Sequence, residues 1–189
     1  MNIFIDTISK VWNVILFNEN RKIVDKISLD FKRNESSKLI PTITKILQKN
    51  FLEYNSLENI IVVNGPWSFT WIRSTILVVN SINFLINKKI TTINFFDLFD
   101  EYPILKASSK RDMFIKTNKN SQIKILDNKE VDLFLKKANI KKVYWDIEEN
   151  FFQDVQIINF SDYEKIIKNI KFENLKIAES NYIKKPNIT

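Results

Sequence analysis

The segment Asn64-Gly65-Pro66-Trp67-Ser68-Phe69-Thr70-Trp71-Ile72-Arg73 connects two predicted elements, and these two elements indicate the fold class. Before it, residues 59–63 form a short run rich in β-branched residues, which predicts a buried strand. After it, the largely apolar run at 74–86 predicts a helix. We expect Gly65-Pro66 to make the bend, and Ser68 or Thr70 to cap the helix by accepting backbone N–H bonds. Strand-to-helix turns of this kind are where α/β folds hold ligands or partners.

The same segment resembles the signature of the TsaB (also called YeaZ) family, which is Gly-Pro-Gly-Ser-Phe-Thr-Gly followed by a hydrophobic residue and Arg. The positions that match are Gly65, Pro66, Ser68, Phe69, Thr70, Ile72 and Arg73. Trp67 and Trp71 depart from it, because the family has glycine at both places. TsaB proteins are the dimerisation subunits of the bacterial machinery that makes threonylcarbamoyladenosine on tRNA. The resemblance implies an α/β fold of the actin-like (ASKHA, ribonuclease H-like) class, with a mixed sheet flanked by helices.

Composition restricts the chemistry that this chain can perform. The 189 residues contain no cysteine and no histidine, which removes thiol nucleophiles, disulfides and the commonest general base, and argues against a zinc or iron site. The net charge is +7, but the lysines are spread along the chain and form no basic stripe, so we expect tRNA to be contacted only indirectly. Neither a long uncharged apolar run nor a signal-peptide pattern is present, so a cytoplasmic protein without membrane association is expected.

The glycine content is unusually low. One glycine occurs in 189 residues, whereas average usage would give about a dozen. Each of the four tryptophans stands where glycine would make sense: Trp67 and Trp71 in the motif, Trp12 in a predicted bend between the first two strands, and Trp145 after a predicted strand. We hypothesise that these four positions are UGA codons that the organism translates as glycine. The alternative is that the chain carries tryptophan and has diverged from the family.

In the first half of the chain, further strands are predicted at 2–7, 14–17, 22–29 and 89–94, with a hairpin turn at 18–21. The first of these strands ends at Asp6-Thr7. In the actin-like superfamily this corner faces phosphates and a metal, so the resemblance implies that Asp6 is a possible magnesium-side carboxylate with Thr7 beside it. The alternative is that Asp6 caps a turn. The family favours that alternative, since TsaB proteins are generally regarded as inactive relatives. The sequence therefore predicts no resident cofactor, leaving only an ATP–magnesium site at a partner interface as a further option.

Two predicted helices are the expected partner surface. The first, at 35–50, has an apolar stripe at helical spacing and Ser36 or Ser37 as a cap. The second, at 74–86, is apolar almost all round, which predicts burial on both sides: one by the sheet and one by a subunit. The resemblance implies that both helices contact the partner. The residues expected there are Leu39, Ile43, Ile46, Leu47, Ile76, Asn80 and Asn83.

The remaining chain predicts a two-lobed organisation. Residues 1–102 are expected to form the actin-like lobe with the partner-binding helices, and 103–189 a reduced second lobe. In the second part, strands are predicted at 104–107, 113–116, 123–126 and 142–144. Helices are predicted at 130–138 and from a Ser161 cap to residue 170.

These features favour a non-catalytic subunit. It would bind a TsaD-like catalytic subunit, with a TsaE-like ATPase joining the pair, and would self-associate when the partner is absent. The main alternative is an actin-like nucleotide-binding ATPase or kinase, which needs Asp6, Mg²⁺ and a second phosphate loop. A catalytic paralogue with its own metal is disfavoured because histidine is absent. A tRNA-binding module remains open from the charge alone.

Overall fold

The computed structural model describes residues 1–30, 36–145, 152, 155–158 and 162–183. They divide into two compact units. The first contains Met1–Phe95 together with Tyr163–Tyr182, and the second lies between Phe96 and Asp162. The expected division at residue 102 put 163–182 in the second lobe. The structure corrects this, because these residues bond to the sheet and helices of the first unit.

The first unit is built on a five-stranded mixed sheet with the order β3-β2-β1-β4-β5. Its strands are Asn2–Asp6 (β1), Val11–Phe17 (β2), Ile23–Asp30 (β3), Asn59–Gly65 (β4) and Lys89–Asn94 (β5). β1 is antiparallel to β2 and parallel to β4, while β5 is parallel to β4 and lies at the edge. Every residue of β1 is buried, as expected for a strand covered on both faces. All five strands were predicted, although their ends differ.

The largest difference lies in β2. The sequence predicted a strand from Val14 and a bend around Trp12, but β2 already begins at Val11. Trp12 lies opposite Leu29 in an antiparallel ladder that continues to the start of β2, and its side chain is buried. The prediction of a bend at Trp12 was therefore wrong. The hairpin turn predicted at 18–21 is confirmed, with the Arg21 N–H donating to the Asn18 carbonyl at 3.0 Å.

Two helices accompany this sheet: Leu39–Lys49 (α1), after a 3₁₀ turn at Ser36–Lys38, and Phe69–Ile86 (α2). The residue at the N-cap of α1 is Lys38 and not the predicted Ser36 or Ser37, and the Lys38 side chain makes no capping bond. Glu35, the predicted first residue, lies outside the described residues. By length and composition α2 could cross a membrane, with a mean hydropathy of 1.3, and 28% of its residues are buried.

The second unit has its own five-stranded sheet, with the order β10-β9-β6-β7-β8. Its strands are Ile104–Ala107 (β6), Asp112–Lys116 (β7), Lys124–Asp127 (β8), Lys142–Trp145 (β9) and Gln156–Ile158 (β10). The helix Asn128–Lys137 (α3) starts at a capping box in which Asp127 and Glu130 satisfy each other's backbone N–H groups. Its buried face packs on a core that includes Leu105, Ile115 and Val143. The sequence predicted every one of these elements except β10.

The last described part of the first unit is the helix Tyr163–Asn169 (α4), followed by an extended segment. Ser161, the predicted cap, lies outside the described residues. The Arg21 guanidinium closes the other end of α4 by donating to the carbonyls of Ile167 and Ile170 at 2.8 and 2.7 Å. Carbonyls at the end of a helix lack donors within the helix, and here Arg21, in the hairpin turn between β2 and β3, supplies the donors.

Candidate partner-binding surface

The turn after β4 is fixed by its glycine. Gly65 has φ of +141°, a conformation that residues with a side chain rarely adopt. A Cβ at this position would collide with the backbone carbonyl of Asn181. The Asn181 N–H in turn donates to the Asn64 carbonyl at 2.8 Å. Glycine is therefore required both by the backbone angle and by the close approach of the C-terminal segment.

The helix begins directly after this turn rather than at Ser74. Ser68 is the N-cap residue, and its carbonyl accepts the first helical bond from the Ile72 N–H at 3.0 Å. Its side chain makes no capping bond, and Thr70 lies within the first turn of α2. The predicted cap by Ser68 or Thr70 was wrong. The residues that we assigned to a turn are thus the first turn of the helix.

The outer side of the α2 start is aromatic. The Phe69 ring packs against Tyr182 with centroids 4.8 Å apart, and the Arg73 guanidinium lies 5.2 Å from the Phe69 centroid. Arg73 of the motif thus contacts an aromatic ring of the same helix turn. Beside it lies a groove of about 480 Å³ lined in part by Phe69, Arg73, Leu77 and Tyr182.

Asp6 is fully buried and its carboxylate is saturated. Oδ1 accepts the N–H groups of Ile8 and Ser9, both at 3.0 Å. Oδ2 accepts the hydroxyls of Ser9 at 2.6 Å and Tyr163 at 2.8 Å. Two bonds to each oxygen occupy its acceptor capacity. The geometry therefore favours the structural alternative for Asp6, in which it caps the turn after β1 and anchors α4.

Thr7 is equally enclosed. Its hydroxyl bonds with that of Thr75 at 2.8 Å, and its carbonyl accepts the Trp71 indole N–H at 3.0 Å. Asp6 and Thr7 are thus brought together as predicted, but their polar atoms face protein groups. Among the described residues, no group of three or more Asp, Glu, His or Cys could hold a metal ion.

Trp12, Trp71 and Trp145 lie in β2, α2 and β9, and Trp67 lies in the bend before α2. The rings of Trp12 and Trp71 lie 4.7 Å apart between centroids, and Trp67 is half-buried. The described residues other than glycine that have positive φ are Arg21, Phe51, Asn87 and Asn139. None is a tryptophan, so the backbone at positions 12, 67, 71 and 145 does not itself demand glycine. The side chain of Trp145 lies outside the described residues.

The residues predicted for the partner surface lie mostly in the interior of the first unit. Those on α1 are at most 2% exposed, namely Leu39, Ile43, Ile46 and Leu47. On α2, Ile76 is 7% and Asn83 is 4% exposed. Asn80 is half-buried and bonds to Ala178. The folded chain therefore does not present these side chains to a partner, and this part of the prediction is corrected.

The opposite side of α2 is apolar and exposed. Leu77, Phe84 and Leu85 are 66%, 87% and 81% exposed. Their spacing of seven and eight residues places them on one face of a helix. On α1, Ile40 is 49% exposed, although we had included it in the buried stripe. We refer to Leu77, Phe84 and Leu85 as the outer face of α2.

The sequence did contain a signal for this outer face, because the helix is apolar almost all round. It did not show which side of the helix faces the core and which side faces outward. We expected the polar residues Asn80 and Asn83 to point toward a partner. They point inward because both side-chain amides bind backbone groups of the C-terminal segment.

The comparisons with known proteins agree with one another. The chain is 32% identical over 82 residues, 43% of its length, to "tRNA threonylcarbamoyladenosine biosynthesis protein TsaB" of Buchnera aphidicola subsp. Baizongia pistaciae. The matching segment spans 36% of that relative. The structure of YeaZ from Pseudomonas aeruginosa superposes with a TM-score of 0.61 over 76% of this chain and 74% of that one, at 13% identity. Over the matching segment the chain is similar in sequence to a TsaB protein, and its fold is similar to that of the YeaZ structure.

A second structure, of a protein with similarity to peptidase YEAZ from Pseudomonas aeruginosa, also gives a TM-score of 0.61, with 14% identity and the same coverage. These likenesses confirm the predicted actin-like α/β fold. No protein-family model matches the chain. The chain keeps, at Gly65, the first glycine of the motif that it resembles, and this is the position where the structure requires glycine. Trp67 and Trp71 are its departures from the TsaB motif.

Proposed function

We propose that the chain is a non-catalytic subunit of the machinery that makes threonylcarbamoyladenosine on tRNA, and that it binds a TsaD-like catalytic subunit in the cytoplasm through the outer face of α2. The name of the Buchnera relative supports the pathway. The observation that carries the binding role is the exposure of Leu77, Phe84 and Leu85 on one helix face.

The magnitude of this exposure supports a binding role. Burying a large apolar side chain contributes about 1.5–3 kcal/mol relative to leaving it in water. Three such side chains clustered on one face differ from the scattered apolar residues of an ordinary surface. A helix from a partner would cover them, as in interfaces whose centre is apolar and whose rim is polar. Arg73 lies on the exposed side of α2, one turn before Leu77, and would belong to such a rim, whereas Ser81 lies between Leu77 and Phe84 within the face.

A protein partner explains this face better than a membrane. Apolar contact with a bilayer would have to accommodate Arg73, near the N-terminal end of the same exposed side. The opposite side of α2 holds buried polar groups, including Thr75 and Asn83, that bond within the first unit. Both observations support a helix that stays with its own sheet and offers one face to another protein.

The environment of Asp6 supports the non-catalytic part of the proposal. A magnesium-side carboxylate needs free oxygen lone pairs, whereas both oxygens of Asp6 already accept two hydrogen bonds each. We therefore assign catalysis to the TsaD-like partner, with a TsaE-like ATPase and tRNA joining the assembled pair. In the absence of that partner, the same apolar face would allow two copies of the chain to associate.

The test is co-purification of the chain with the TsaD-like protein of the same genome. We expect a stable complex of the two proteins. A folded chain that fails to pair with this protein would overturn the proposal, and magnesium-dependent ATP binding by the chain alone would then favour the nucleotide-binding alternative.

A further inference from the structure

The segment at 172–182, here called the strap, runs from the sheet edge to the turn at Gly65. Leu175 and Ile90 form an antiparallel bridge in which each N–H donates to the other carbonyl at 3.0 Å. The Glu173 carboxylate accepts the Thr92 N–H at 3.2 Å. The outward N–H groups of the edge strand β5 are thus bonded by the strap, which covers part of an otherwise open edge.

Three asparagines bind the backbone of the strap. The Asn80 amide donates to the Ala178 carbonyl at 3.0 Å and accepts the Ala178 N–H at 2.8 Å. Asn83 donates to the Lys176 carbonyl at 3.1 Å, and Asn64 donates to the Glu179 carbonyl at 3.0 Å. These contacts recognise an extended chain by its peptide groups and do not depend on its side chains.

The side chains of the strap contribute little burial. Ala178 is 2% exposed, but its side chain is a single methyl group. Ile177 is 66% and Phe172 is 41% exposed, and Lys176 and Glu179 face solvent. A segment held by partly exposed hydrogen bonds and few apolar contacts lies at the low-stability end of a folded protein. Its opening would give up the stacking of Phe172 on Phe17, whose ring centroids are 6.4 Å apart, and the contact of Tyr182 with Phe69.

We propose that the strap opens as one unit while the rest of the first unit stays folded, and that its closure shapes the groove beside the outer face of α2. Tyr182, near the strap's end, packs on Phe69 and lines that groove with Arg73 and Leu77. Asn181 packs against Gly65, so the strap also holds the turn that starts α2. Opening would remove one wall of the groove and free the edge of β5. The link to partner binding rests on the proposed function, whereas the opening itself does not.

The experiment is native-state hydrogen exchange of the full-length chain, followed residue by residue by NMR. The amides of Leu175, Ala178 and Asn181 donate from the strap to β5, α2 and β4, and the Ile90 amide donates from β5 to the strap. We expect these four amides to exchange with one common opening, faster than the amides within β1 and β4. The Asn80→Asp variant loses the N–H group that donates to the Ala178 carbonyl. It should increase the exchange rate of all four amides by about tenfold and leave the exchange rates of the β1 and β4 amides unchanged. Ser81→Asp is the matched control, because it adds the same charge to an exposed neighbouring position.

Three results would overturn the proposal. The strap amides could exchange only at the rate of β1 and β4, which would mean that the strap opens only by global unfolding. Ile90 could exchange independently of Leu175, which would mean that the strap does not open as a unit. Asn80→Asp could speed β1 and β4 as much as the strap. Since no partner is present in this experiment, each of these outcomes is separate from failure of the co-purification.

Discussion

Gly65 is the residue at which backbone geometry leaves one choice of side chain. Its positive φ and the nearby Asn181 carbonyl both exclude a Cβ atom. The sequence indicated the importance of this position because Gly65-Pro66 lies between a strand and a helix. It did not reveal the strap, whose approach supplies the second reason for glycine.

We predict that Gly65→Ala lowers the free energy of unfolding by about 3 kcal/mol, since it adds backbone strain and a steric clash at once. Chemical denaturation monitored by circular dichroism measures this change. Ser68→Ala in the same turn is the control and should change stability by less than about 0.5 kcal/mol, because the Ser68 side chain makes no capping bond. Equal losses in the two variants would contradict this account of the turn.

The identity of residues 12, 67, 71 and 145 is a separate prediction. If the recoding hypothesis is right, peptides from the protein isolated from its own organism carry glycine at all four positions. Peptide mapping by mass spectrometry distinguishes the two residues directly. Tryptophan at any of the four positions would count heavily against recoding, and at position 71 it would preserve the indole bond to the Thr7 carbonyl.

Among the elements, α1 and β3 are joined through one carboxylate. Asp25 of β3 accepts hydrogen bonds from Lys49 at 3.0 Å and from Asn50 at 2.8 Å, at the end of α1. Burial raises the pKa of Asp25, but these bonds outweigh it, so the pKa lies below its ordinary value of 3.8. A carboxyl whose pKa is lowered in the folded state stabilises the fold at any pH above the pKa that it has in the unfolded state. This stabilisation is lost as the pH falls through the pKa of the folded state.

We therefore expect Asp25→Asn to lower the free energy of unfolding by about 1 kcal/mol at neutral pH. The difference from the unaltered chain should shrink as the pH falls below 3.8, the ordinary pKa of the group. Urea unfolding at a series of pH values measures it. Asp132→Asn removes an exposed pair with Lys136 in the second unit and should cost less than about 0.5 kcal/mol. A deficit for Asp25→Asn that persists at low pH would mean that packing, not charge, connects α1 to β3.

The helices also show why part of the site was predictable. Leu39, Ile43 and Ile46 follow helical spacing, so the sequence predicted that α1 has a buried side. The sequence of α2 is apolar in every direction, so its pattern contained no information on which side faces the core. That choice is made by Asn80 and Asn83, whose amides bond to a segment about a hundred residues away in the chain.

At the scale of the whole first unit, the strands near the start of the chain contact the segment at 163–182. Tyr163 on α4 donates to Asp6 on β1, and the strap reaches Gly65 at the end of β4. Local patterns predicted most strands and helices of both units, because each carries its own apolar periodicity. They did not predict how α4 and the strap return to the first sheet, because the bonds that anchor them join residues far apart in the chain and leave no periodic signal.

The most direct test of the proposed function is the affinity of the chain for the TsaD-like protein, measured with the residues that peptide mapping assigns at the four tryptophan positions. We expect Phe84→Asp, on the outer face of α2, to weaken binding by about tenfold or more. Phe51→Asp is the matched control, since Phe51 is 98% exposed but lies beyond the end of α1, and it should bind like the unaltered chain. Charged substitutions at the buried Ile43 or Ile76 would disturb folding and cannot serve here. Unchanged binding by folded Phe84→Asp, or no binding by the unaltered chain, would contradict the account.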